Sequence, residues 1–144
     1  MKFLSILITT IIPGLISLSV HADSYNFKAG LWETTTTMEV KGVPAEMAKM
    51  MQMPTQVDQD CVQKGEVMFE SDKNCQYEKT RVSANKLLVK ITCSTPEGIT
   101  NGKGEVNFNG KTTNGFFAMN VPRGPFGPLL IKNTFKARYL GSCK

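Results

Sequence analysis

The chain has 144 residues and carries 17 Lys and Arg against 12 Asp and Glu, for a net charge of +5. That length suits one domain with a real core and is short for two. The basic residues are scattered, without a run and with few aromatic residues between them, which argues against nucleic acid as a partner.

The chain opens like a secretory leader. Lys2 supplies the charge, Phe3 to Val20 is apolar or small with a break at Pro13-Gly14, and Val20-His21-Ala22 places small residues where a signal peptidase reads. Residues 1–22 are therefore expected to be removed, leaving 23–144 as a single domain. No cysteine follows the cleavage position to take a lipid. No second apolar run is long enough to span a bilayer, so no transmembrane anchor is expected after cleavage. The expected location is the periplasm, or outside the cell. Cleavage also removes His21, the only histidine. The mature chain then lacks an imidazole, which rules out Ser-His-Asp and Cys-His catalysis and His-ligated metals.

Trp32 to Val40 alternates as a half-buried strand, with Trp32, Thr34, Thr36, Met38 and Val40 on one face and Glu33 and Glu39 on the other. The single tryptophan reads as a core anchor rather than a stacking platform for a ligand. A short helix, of no more than about three turns, fits between Pro44 and Pro54 and must pack to persist. Within it Met47, Met50 and Met51 follow helical spacing, with Met53 just beyond. Such a stripe covers a core, offers an adaptable surface to an apolar ligand or protein, or presents soft sulfur ligands to Cu(I).

Cysteines 61, 75, 93 and 143 lie 14, 18 and 50 residues apart, too far for the close pairs of a zinc site, and in an exported chain they read as two disulfides. Lys86 to Ser94 puts Leu87, Val89, Ile91 and Cys93 on one face. A hairpin centred on Ala84 sets Cys75 opposite Cys93 and Tyr77 opposite Ile91. That register favours Cys75 with Cys93 and Cys61 with Cys143. The rival pairing joins Cys61 to Cys75 and Cys93 to Cys143.

Thr95 to Gly98 reads as a turn, Gly104 to Asn109 as a strand and Asn109-Gly110 as a hairpin signal. Gly102 and Gly104 suggest a kink or bulge. The return strand runs from Lys111 to Val121. The Pro- and Gly-rich stretch from Pro122 to Pro128 is expected to be irregular, with Phe126 in an apolar loop. A last strand covers Leu129 to Leu140. The fold expected is all-β: an antiparallel meander of six or seven strands, strongly curved or a partly closed barrel, braced by disulfides, with one short helix or loop.

Several of these pieces occur in a familiar order. Gly30-Leu31-Trp32-Glu33 leads into a Thr-rich strand and a Pro- and Met-rich segment. A cysteine then precedes a variable loop, and two more sit on a hairpin. Gly102-Lys103-Gly104-Glu105, the Asn109-Gly110 hairpin and a terminal Gly141-Ser142-Cys143 complete the pattern. From Lys28 to Cys143 the chain resembles the bacterial family called domain of unknown function 3617 (DUF3617). The resemblance implies an exported protein and supplies no catalytic residues.

The glutamates fall mostly on polar faces or in loops, including Glu66 and Glu70, and there is no phosphate-binding glycine loop or nucleophile motif. The functional expectation is a non-enzymatic binding module of the envelope. It would need no cofactor and would engage an apolar ligand or an envelope protein through Met47, Met50, Met51, Met53 and Phe126. The alternatives are Cu(I) binding by the same four methionines and, last, a small carboxylate-dependent enzyme.

Overall fold

The computed structural model describes residues 25–51, 53–63, 71, 73–124 and 126–144. The leader, Glu66 and Glu70 lie outside the described residues. Seven strands form one antiparallel sheet: β1 (Gly30–Lys41), β2 (Gln56–Val62), β3 (Cys75–Ser83), β4 (Lys86–Thr95), β5 (Gly98–Asn109), β6 (Thr112–Gly124) and β7 (Gly127–Gly141). One short helix, α1 (Ala45–Met50), joins β1 to β2. The strand order is β2-β1-β7-β6-β5-β4-β3. Strands β3 to β7 are a true meander. The first strand then pairs with the last, and β2 becomes one edge while β3 is the other. The sheet is open, and no β2–β3 pairing closes it into a barrel.

Alternation sorts the side chains into a core face and an outer face, because directly paired residues share a face. Leu87, Val89, Ile91, Cys93, Val106, Phe108 and Phe135 form the buried cluster on the core face, with Cys75, Tyr77, Phe117 and Met119 packed against it. The β3–β4 register is the one the sequence predicts, Cys75 opposite Cys93 and Tyr77 opposite Ile91. The hairpin has a two-residue turn, Ala84-Asn85, and a register shift between Arg81 and Ser83 makes up the odd residue.

The core face is sealed at one end by the segment before β1. Phe27 stacks on Trp32 with centroids 4.4 Å apart and meets Phe108 edge-on at 6.0 Å, while Tyr25 stacks on Phe108 at 4.7 Å. The backbone of this strap is hydrogen-bonded to two hairpin turns. Asn26 N donates to Ala84 O at 2.7 Å, and Gly110 N donates to Asn26 O at 2.9 Å. Trp32 is 2% exposed, the core anchor expected of it, and its ring N–H donates to Lys28 O at 2.8 Å.

Three expectations are corrected. Gly102 and Gly104 mark no bulge, since both flanking registers run through them without a shift. They are bare because a Cβ at Gly104 would enter the Phe117 ring, and one at Gly102 would strike the Met119 side chain and the Ala118 carbonyl. The stretch from 122 to 128 is not irregular: β6 continues to Gly124 and β7 begins at Gly127, with the register shift between Val121 and Gly124 absorbing the prolines. The short helix, six residues, is present as expected, but none of its residues is buried, so its methionine stripe does not cover the core.

The disulfides are Cys61–Cys143 and Cys75–Cys93. Ser94 N donates to Asn74 O, so the neighbouring Cys75 and Cys93 form a non-hydrogen-bonded pair, the site where antiparallel strands approach most closely. Their Cα atoms are 4.1 Å apart. The second bridge ties edge strand β2 across the start of β1 to the end of β7. The bridges close 82 and 18 residues. Loop entropy then predicts that replacing Cys61 and Cys143 by Ala costs about 1 kcal/mol more than replacing Cys75 and Cys93. Denaturant titration of the two double variants measures this.

Thr113 is 2% exposed, and its hydroxyl finds no hydrogen-bond partner among the described residues. Thr113→Val keeps the shape, suits a strand and removes the orphaned group, so it should stabilise the fold by about 1 kcal/mol. A higher melting temperature is the expected result.

Candidate ligand-binding groove

Away from the strap, the core face remains open among the described residues. A groove of about 410 Å³ runs over β1, β7 and β6 and is bounded on one side by the segment entering β2. Its floor follows from strand parity. Thr34, Thr36 and Met38 come from β1, Asn133 and Phe135 from β7, and Phe117 from β6. Met53, Pro54 and Gln56 form the wall. The Phe117 and Phe135 rings are stacked 5.8 Å apart, and the bare Gly104 lets Phe117 lie down against the sheet.

The lining combines two rings and two thioethers with a few hydroxyl and amide groups. This is the make-up of a small-molecule site, in which apolar walls supply affinity and sparse polar groups fix orientation. Among the described residues no carboxylate lies in the lining, so these residues offer the groove neither a general acid nor a general base.

Of the five candidate binding residues, Met53 lines the groove, and Met47, Met50, Met51 and Phe126 fall outside its lining. Met47 is half-buried, while Met50 is 86% exposed and Met51 42%. The four methionines do not converge on this cavity, and the helix stripe does not cover the core. Phe126 sits at the β6–β7 turn and is 49% exposed. The floor residues of β1, Thr34, Thr36 and Met38, fall on one face by alternation, but that periodicity is also the periodicity of a core. Asn133 carried the distinguishing signal. It interrupts the row Leu129, Ile131, Phe135, Ala137 with an amide, and a polar residue on an apolar face marks a cavity or a wet site.

The outer face carries Glu33, Glu78 and Glu105 as solvated cross-strand partners. Glu78 pairs with Lys90 at 3.5 Å, Glu105 with Lys86 at 3.0 Å and Glu33 with Arg138 at 2.7 Å. Hydrogen bonds from Gln59 and then from Arg138 hold the Glu33 carboxyl below its ordinary range. Those from Asn107 and then from Lys86 do the same for Glu105. Both stay ionised at neutral pH, the state of a structural partner rather than a proton donor.

No curated protein and no solved structure matches the chain. The family model described as a protein of unknown function, DUF3617, matches residues 27–143 and so takes in all seven strands, the four cysteines and the strap from Phe27 onward. The chain belongs to the DUF3617 family.

Proposed function

We propose that this protein is a non-catalytic binding protein of the bacterial cell envelope that holds an apolar chain in the groove between Met53 and the Phe117–Phe135 pair. The observation that carries the reading is the unsealed half of the core face. A sheet without a helix layer must bury its apolar face, and here the strap covers one end while rings and thioethers line an open cleft at the other. The volume of about 410 Å³ falls within the range of small-ligand sites. Met53 and Met38 suit a variable apolar occupant because an unbranched thioether repacks at little cost. Two disulfides and the leader-like N-terminus support an oxidising location reached by export.

Fluorescence titration with N-phenyl-1-naphthylamine, which brightens in apolar surroundings, tests the groove. The probe should bind saturably to the mature protein. Thr36→Trp places an indole beside Phe135 and should weaken binding by about tenfold or more while both disulfides are retained. Met50→Ser, at the exposed helix position, should leave binding unchanged. Equal binding by wild type and Thr36→Trp would contradict the reading. Export is tested separately, since N-terminal sequencing of the envelope-fraction protein should begin at Asp23 or within two residues of it.

A further inference from the structure

The outer face carries a second cleft, of about 540 Å³, over β6 and β7 with walls from β5 and β1. Its chemistry is the reverse of the groove's. One cross-strand row, Asn107, Asn114, Lys136 and Thr35, runs over four adjacent strands, and every member lines the cleft. Phe116 and Lys132 lie beside that row, with the Lys132 ammonium 5.2 Å from the Phe116 ring centre.

Charge on this face is unevenly matched. Glu33, Glu39, Glu78 and Glu105 engage Arg138, Lys41, Lys90 and Lys86. Lys132 and Lys136 have no carboxylate partner among the described residues. Lys136, opposite Thr35, faces the cleft with no carboxylate directly across from it, while Lys132 lies opposite Glu39, whose carboxylate engages Lys41.

The amides are oriented as well. Asn107 Nδ2 donates to Glu105 Oε1 at 3.1 Å and to Asn114 Oδ1 at 3.5 Å. The Glu105 carboxylate accepts and cannot donate, so it fixes which way Asn107 points. Asn107 then occupies the carbonyl side of Asn114. The Asn114 NH₂ is left to donate, next to Lys136 in the row. A donor amide beside an unpaired ammonium is an arrangement for an anion, because charge-assisted hydrogen bonds are the strong ones.

We propose that the outer cleft binds the phosphate group of a small soluble molecule, with Lys136 and the Asn114 amide in direct contact and Lys132 as the second charge. A compact anion fits better than an anionic bilayer. Glu33 lines the cleft but its carboxylate is held by Arg138, and a flat membrane laid on this face would also meet the carboxylates of Glu39 and Glu78, which lie outside the cleft. This site is independent of the apolar groove and lies on the opposite side of the sheet.

The test is an NMR titration of the mature, disulfide-bonded protein with inorganic phosphate at low ionic strength and neutral pH. The Asn114 side-chain amide and the Thr35 and Lys136 backbone signals should shift together and saturate. Lys136→Gln should weaken binding by about tenfold, the loss of one charge-assisted contact. Lys49→Gln on α1 removes the same charge elsewhere and should leave it unchanged. The proposal is overturned by three results: non-saturating shifts, equal losses in the two variants, or binding to phosphatidylglycerol vesicles with none to phosphate. Melting temperatures of both variants close to wild type show that the comparison concerns the site and not the fold.

Discussion

The Phe27 ring lies between Trp32 on β1 and Phe108 on β5, strands separated in the sheet by β7 and β6. Three strand spacings amount to ~14 Å, more than side chains of a single strand pair bridge. The strap supplies the missing layer. It brings two aromatic rings to the core face and hydrogen-bonds to the Ala84 and Gly110 turns, so one short segment joins β1, the β3–β4 hairpin and the β5–β6 hairpin. Without it the sheet would carry an apolar face with no second layer at that end, which an isolated sheet cannot sustain in water.

The same economy of covering elements explains the groove. The described residues provide one helix, of six residues with nothing buried, so among them the half of the core face beyond the strap is floored but not roofed. The glycines on β5 let Phe117 and Met119 lie close to the sheet, which deepens the cleft instead of filling it. The two bridges hold opposite ends of the structure. Cys61–Cys143 ties edge strand β2 to the end of β7, and Cys75–Cys93 pins edge strand β3 to β4. The exposed edges are short or kinked: β2 has seven residues with Asp58 and Asp60, and β3 has its register shift near Val82. Such features discourage pairing with another sheet.

Local features were readable from the sequence because they depend on local rules. Strand parity placed Cys75 opposite Cys93, and the arithmetic of the Ala84 turn survived even though a bulge shares the work. The Pro122 to Pro128 stretch was misjudged because composition argues against a strand, whereas a register shift at the hairpin tip lets the ladder continue past Pro122. The pairing of β1 with β7 is a long-range choice that no periodicity encodes, and it decides which side chains floor the groove. The methionines drew attention by number. Position distinguishes them: Met53, itself half exposed, lines the groove, and Met50 does not. Tyr25 and Phe27 gave no signal as a cap, since two aromatic residues before a strand read as an ordinary approach to it.

The central claim is that the unsealed half of the core face, rather than the exposed helix, takes an apolar ligand. Methyl NMR of the mature protein labelled at methionine, titrated with dodecanoate below its aggregation concentration, addresses this directly. Met38 and Met53 methyl signals should shift and saturate together while Met50 stays in place. Shifts confined to Met50 and Met51, with Met38 unmoved, would contradict the account and move the binding surface to the helix.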